Sequence, residues 1–202
     1  MEPRAQSKYT PEQYLALECE AVQKSEYVNG HILAMAGASR RHNQITFNLA
    51  VALGGQLKGR PYVAYVNDMR VKVSATGLYT YPDVAALCGE PDFEDNHMDT
   101  LLNPMVIVEV LSDSTEAYDR GAKFAHCRRL PSLTEYVLIA QDKVCVEHYV
   151  RQGKQWLLSE VDGLDGTIQL DSIGCSLSLE EIYDKIKFPD QDSATGNSMS
   201  LT

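Results

Sequence analysis

Ile45, Leu49 and Leu53 recur at every fourth residue between Ser39 and Gly59. That period predicts an amphipathic helix over 40–58, capped by Ser39 and stopped near Gly59. Thr10-Pro11-Glu12-Gln13 predicts another helix, over 11–22. Thr10 can cap it, Pro11 suits the first helical position, and Gln13 completes a capping box. Between the two, Asn29-Gly30 separates two short apolar runs. This pair predicts a hairpin, because the favoured two-residue turn needs positive φ at both positions.

The period then shortens to that of strands, predicted at 62–66, 69–73 and 81–88. Pro82 lies near the start of the third, where a missing donor costs least. Residues 89–103 (GEPDFEDNHMDTLLN) read as a polar loop. Met105 to Leu111 is almost continuously apolar, as in a strand buried on both faces. Ser114 and Pro131 bracket a predicted helix over 115–130. Strands at 135–140, 143–150 and 155–161 read as an antiparallel meander. Ser178-Leu179-Glu180-Glu181 forms a capping-box pattern for a last helix over 179–187. Nothing in 11–188 reads as a linker or repeat. The expected organisation is an N-terminal extension (1–10), a single domain (11–188) and a polar tail (189–202) whose composition predicts disorder.

Charge narrows the partners. The formal net charge is -10, which opposes nucleic acid unless cations cluster locally, since DNA affinity draws on Lys and Arg contacts to phosphate. Three clusters stand out: Arg40-Arg41-His42, Arg60 with Arg70 and Lys72, and Arg120, Lys123, Arg128 and Arg129. No apolar run approaches the ~20 residues of a membrane span, and MEPRAQSKYT lacks the apolar core of a secretory signal, so no membrane association and a cytoplasmic location are expected. The five cysteines are scattered without a C-x-x-C pair, which argues against a cysteine zinc site or a disulfide framework.

Two acids interrupt apolar strands. Glu109 stands inside VIVEVL, and Asp83 stands at the entrance to VAAL. A buried carboxylate must be paired, protonated or bound to a metal. If the two strands are neighbours, both carboxylates can converge on one hard cation, Mg²⁺ or Mn²⁺. Such a cation activates water and neutralises charge on a phosphate. A salt bridge from Glu109 to a core Lys or Arg is the competing explanation. Asp119 and Lys123 are four apart and share a helix face, with His126 three further on.

The ordered set Tyr81-Pro-Asp-Val-Ala-Ala-Leu, Val108-Glu-Val-Leu-Ser-Asp-Ser-Thr, Asp119-x-x-x-Lys123 and Pro131-x-x-x-Glu135-Tyr-Val-Leu resembles the Uma-two type family of restriction-endonuclease-like proteins. That family is abundant in cyanobacteria and belongs to the PD-(D/E)XK nuclease superfamily. Glu26-Tyr-Val-Asn-Gly-His-Ile and His42 match its pattern as well. The resemblance spans roughly 10–187. It implies an α/β (α+β) fold, with a central mixed β-sheet flanked by helices, restriction-endonuclease-like. It also implies a metal held by Asp83 and Glu109. The superfamily pattern carries a lysine two residues after the second acid. Here Leu111 stands there, and Lys123 on the following helix matches the resembling family's substitute.

The catalytic set expected on this basis is Asp83, Glu109 and Lys123, with Asp83 and Glu109 as ligands of Mg²⁺ or Mn²⁺. Glu26 is a candidate additional ligand or supporting acid. Arg40, Arg41, His42, Arg128 and Arg129 are candidate nucleic-acid contacts. The function expected is metal-dependent endonucleolytic hydrolysis of DNA. Two alternatives stand beside it: an inactive nuclease-fold module that binds nucleic acid or protein, and a structural or dimerisation domain with salt-bridged acids. Cutting both strands of a duplex would favour a homodimer.

Overall fold

The computed structural model describes residues 8–188. The order is α1 (Pro11–Glu20), β1 (Ser25–Val28), β2 (His31–Ala34), α2 (Arg40–Leu57), β3 (Tyr62–Val66), β4 (Arg70–Val73), β5 (Leu78–Thr80), β6 (Val84–Cys88), β7 (Thr100–Leu101) and β8 (Val106–Val110). Next comes a compound helix: α3 (Glu116–Tyr118), a π turn (Asp119–Lys123) and α4 (Phe124–Cys127). The chain continues through β9 (Glu135–Ile139), β10 (Cys145–Gln152), β11 (Gln155–Asp162), β12 (Thr167–Leu170), β13 (Cys175–Ser178) and α5 (Leu179–Ile182).

The central sheet has six strands in the order β11-β10-β9-β8-β6-β3. It is mixed: β8 runs parallel to β9, and the other neighbours are antiparallel. A five-stranded sheet, β2-β1-β5-β4-β7, lies beside it, and β12 and β13 form a hairpin. This is a mixed α/β fold with a central sheet flanked by helices.

Alternation along the central strands explains the layering. Val84, Ala86, Val106, Val108, Val110, Val137 and Ile139 pack in one core with Ile45, Leu49 and Leu53 of α2. Ala85, Leu87, Ile107, Leu111, Tyr136 and Leu138 pack on the other face with Phe124 and Cys127 of α4. Each strand therefore buries both of its faces, which produces the continuous apolar run. Glu109 falls in phase with Ile107 and Leu111 and so belongs to the face covered by the compound helix. A third cluster stacks Tyr14 of α1 on Tyr27, with ring centroids 5.2 Å apart, beside Tyr79.

Several local signals are realised. Thr10 and Gln13 make the reciprocal capping box. The Ser39 side chain accepts from His42 N. Asn29 and Gly30 turn the β1–β2 hairpin at φ of 52° and 89°, and β9-β10-β11 is an antiparallel meander.

Other expectations are corrected. The strand expected over 81–88 begins only at Val84, and the residues just before it, Leu78–Thr80, form β5 of the other sheet. The polar loop 89–103 contains β7, which pairs parallel with β4. Ser178 makes no side-chain cap, and α5 stops at Ile182. The helix over 115–130 has Thr115, not Ser114, at its N-cap, and a π turn interrupts it. Most of the N-terminal extension and the whole tail from Pro189 lie outside the described residues. No helix among the described residues is long and apolar enough to cross a membrane.

Candidate metal and active site

The switch between sheets at Tyr81-Pro82-Asp83 sets the site. Asp83 Oδ2 accepts from Val110 N at 2.7 Å, so the carboxylate caps a donor at the end of β8. The β6–β8 register ends at Val84↔Val108, one residue short of Asp83 and Glu109, and the Asp83–Val110 bond holds Asp83 beside the end of β8 that carries Glu109. His42, on the first turn of α2, brings Nε2 to 3.2 Å from the same Asp83 oxygen.

The compound helix supplies the cation. Lys123 Nζ lies 2.9 Å from Glu109 Oε1, 3.2 Å from Glu26 Oε1 and 3.5 Å from Asp119 Oδ1. Lysine and its three acids are all buried. Glu26 also accepts a hydrogen bond from the Thr80 hydroxyl, and Tyr136 donates its hydroxyl to Asp119 O at 3.1 Å. The salt-bridge alternative for Glu109 and the i,i+4 pair of Lys123 with Asp119 are thus both present as contacts. Glu109 Oε1 nevertheless has no angularly sound hydrogen bond, because the Lys123 ammonium is close but off-direction. The Tyr118 hydroxyl, on the same helix, is likewise buried without a partner among the described residues.

Burial and charge act in opposite directions here. Burial pushes the Glu109 carboxyl well above the ordinary carboxylate range; Lys123 opposes this, while Asp119 and Asp83 add to it. Burial raises Asp119 in the same way, against the pull of Lys123. Burial would lower Lys123, but Glu109, Glu26 and Asp119 outweigh it and hold the ammonium charged. Glu26 ends below its ordinary value, since Lys123 and the Thr80 hydroxyl overcome its burial.

A cleft of about 940 Å³ opens over this group, bordered by Glu26, His42, Asp83, Glu109, Tyr118 and Lys123. Among the described residues no three His, Cys, Asp or Glu side chains form a ready-made metal cage. The donor set fits a cation that keeps much of its water. Mg²⁺ is commonly held by one or two carboxylates, and Asp83 and Glu109 offer two. Four acids face one lysine and one histidine, and the buried Glu109 oxygen still lacks a sound hydrogen bond.

The remaining basic candidates divide. Arg40 and Arg41 border a neighbouring cavity of about 720 Å³ that shares Ser39, Asp113 and Gln141 with the cleft. Arg128 and Arg129 lie just past the C-terminal end of α4 and border neither cavity. The backbone carbonyl of Arg128 accepts from Arg151, which also bonds Leu133 O beside the start of β9. That is the opposite end of the parallel pair β8–β9 from Glu109.

Two further sequence clusters are occupied structurally. Arg60 bonds Ile173 O and Gly174 O, Arg70 is buried against Tyr81, Asp99 and Thr100, and Lys72 pairs with Glu94. Arg120 pairs with Glu116 and Glu147. Leu111, where the superfamily pattern has lysine, is buried in the apolar layer. Sequence reasoning missed Tyr118 and Thr80, which no spacing rule singles out. It gave His42 as a candidate nucleic-acid contact without foreseeing its place beside Asp83.

A central mixed sheet flanked by helices, with acids gathered where two adjacent strands end, defines a nuclease-fold protein. The family model described as "Uma2: Putative restriction endonuclease" matches residues 11–180, and the chain belongs to that family. It is similar to two Synechocystis proteins. With the uncharacterized protein sll1609 it shares 42% identity over 79% of this chain and 91% of the relative. With the uncharacterized protein slr1290 it shares 35% identity over 90% of this chain and 94% of the relative. Among solved structures, the fold matches that of a "putative nuclease belonging to DUF820" from Anabaena variabilis, with a TM-score of 0.73 and 20% identity, covering 87% of this chain and 97% of the other.

Proposed function

We propose that this chain is a Mg²⁺- or Mn²⁺-dependent endonuclease that hydrolyses phosphodiester bonds in DNA. The observation that carries this reading is Asp83 at the entrance to β6, its carboxylate bonded to Val110 N next to Glu109 on β8, beneath an open cleft and beside a buried, charged lysine. The family's description and the solved relative's title, each naming a nuclease, support it.

Asp83 and Glu109 would hold the cation. When bound, it would polarise the phosphate and lower the pKa of a coordinated water. Lys123 is kept protonated by its three acids, so it serves as a fixed positive charge rather than a proton acceptor. Its role is to stabilise negative charge developing on the phosphate oxygens. Glu26 and Asp119 hold the ammonium in place. His42 and Val110 N fix the Asp83 carboxylate. Arg40 and Arg41 contact phosphates beyond the one cut.

The test is nicking of supercoiled plasmid with Mg²⁺ or Mn²⁺, run beside a thermal melt. Wild type is expected to nick, and Asp83→Asn and Glu109→Gln to lose metal-dependent nicking while remaining folded. Wild type that binds DNA yet never nicks at any metal concentration would replace this reading with that of an inactive binding module.

A further inference from the structure

The central sheet ends in β11, which pairs with β10 in an unbroken register from Gln152↔Gln155 to Cys145↔Asp162. On its other side β11 has no partner among the described residues. Monomeric proteins blunt such an edge with short strands, lysines, prolines or bulges. The segment QWLLSEVD has eight residues, no Pro, no Lys and no bulge, and its two charges, Glu160 and Asp162, fall in its last three residues. Leu157 is 54% exposed and Leu158 49% exposed. Being consecutive, they project from opposite faces of the sheet, so both faces lose apolar cover at this edge.

We propose that β11 pairs antiparallel with β11 of a second copy, about a twofold axis through Leu158, joining two six-stranded sheets into one. The inference is independent of the nuclease reading.

Backbone geometry limits the registers, and side-chain pairing and charge choose among them. The β10–β11 turn is the two-residue pair Gly153-Lys154. In such a hairpin the residues beside the turn exchange hydrogen bonds, and the pattern alternates along the ladder. Gln155, Leu157, Ser159 and Val161 therefore bond inward to β10. Trp156, Leu158, Glu160 and Asp162 turn their N–H and C=O groups outward.

A twofold axis can pass through one of the outward residues or, at a non-hydrogen-bonded pair, through an inward one. Centred on Leu158, the pairing sets Leu158 against Leu158, Trp156 against Glu160, and exposed Lys154 against exposed Asp162. The twofold axis repeats the last, opposite-charge pair. Centring on Glu160 would set Glu160 against itself. Centring on Trp156 would leave Glu160 and Asp162 without partners, centring on Ser159 would set Leu158 against Glu160 and leave Lys154 unpaired, and centring on Leu157 would set Lys154 against Glu160 but leave Asp162 beyond the partner strand. For a chain of net charge -10, two copies associate only where complementarity offsets repulsion, and the Leu158 register supplies it twice.

The experiment is sedimentation velocity with light scattering on the full chain across a concentration series, with circular dichroism and melting of each variant. Wild type is expected to dimerise. Leu158→Lys should shift it to monomer while keeping the fold, because its side chain is half exposed. Lys154→Asp and Asp162→Lys should each weaken dimerisation about tenfold. The double reversal should restore it, since it rebuilds the same pair with the signs exchanged. These exposed positions keep the test decisive should Leu158→Lys misfold. The proposal is overturned by a wild type that is monomeric throughout, or by a dimer indifferent to Leu158→Lys and to both charge reversals. It is equally overturned by a dimer that is lost instead on Phe47→Lys, in the exposed apolar face of α2.

Discussion

Lys123 is the residue on which the site balances. It is the one ammonium among Glu26, Glu109 and Asp119, so Lys123→Ala leaves three buried acids facing one another. Removing one partner from a buried ion pair costs about 3–5 kcal/mol, and a loss of that size is expected in denaturant melts near neutral pH. Its pH dependence has a definite sign. Without the ammonium, burial and mutual repulsion raise the folded-state pKa values of these acids above their unfolded values. The unfolded state then holds fewer protons than the folded one, so the variant should regain stability relative to wild type as pH falls and the acids protonate. A deficit constant from neutral to acidic pH would show that the acids do not depend on Lys123. A second acid behaves oppositely. Glu135 is buried, but His148 at 2.6 Å and Ser172 hold its carboxyl below the ordinary value. Its contribution is present above the unfolded carboxylate pKa and is lost as pH falls through the depressed folded one. Glu135→Gln should therefore cost stability near neutral pH and little in strong acid, which melts across an acid pH series would reveal.

At the scale of elements, the π turn decides where Lys123 points. Its wider ring accommodates one more residue than an α turn, and such bulges often mark functional sites. Deleting Gly121, which lies inside it, should restore α-helical bonding across this turn and shift Lys123 relative to its three acids. The expected result is loss of nicking with most helical circular dichroism retained; retained nicking would show that the bulge does not aim the lysine. Nothing in DRGAK announces a π turn, because its hydrogen-bond ring depends on how the helix seats against Tyr136 and β8. The strands that bury both faces were legible in sequence, as were the hairpin at Asn29-Gly30 and the caps at Thr10 and Ser39, since each rests on local chemistry. The break at Tyr81-Pro82-Asp83 was not, because the passage of the chain from one sheet to another between β5 and β6 is a tertiary event. Short β7, β12 and β13 escaped for the same reason: two to four residues carry too little periodicity to register. Of the site, Asp83, Glu109 and Lys123 were legible as chemistry out of place in apolar or amphipathic runs. Their grouping around Glu26, Tyr118 and Asp119 required the fold.

Over the whole molecule, cationic groups are rationed. Arg60, Arg70, Lys72 and Arg120 are engaged in internal bonds, while Arg40 and Arg41 border the cavity continuous with the cleft. On the proposed reading, neutralising Arg40 and Arg41 should weaken DNA binding. It should also make the slope of log affinity against log salt shallower by about one for each phosphate these arginines reach. Neutralising Arg128 and Arg129, at the far end of β8 and β9, should change that slope less. Equal effects from the two pairs would place the DNA track along the compound helix instead.

Carrying the lysine on a helix rather than on the acid-bearing strand also has a temporal consequence. During synthesis Glu26 and Glu109 leave the ribosome before Lys123, and neither meets its ammonium until the compound helix docks against the sheet. A nascent or half-folded chain therefore carries the acids without the charge that completes the site. On the proposed reading, the capacity to cut would then arise only once the compound helix has docked.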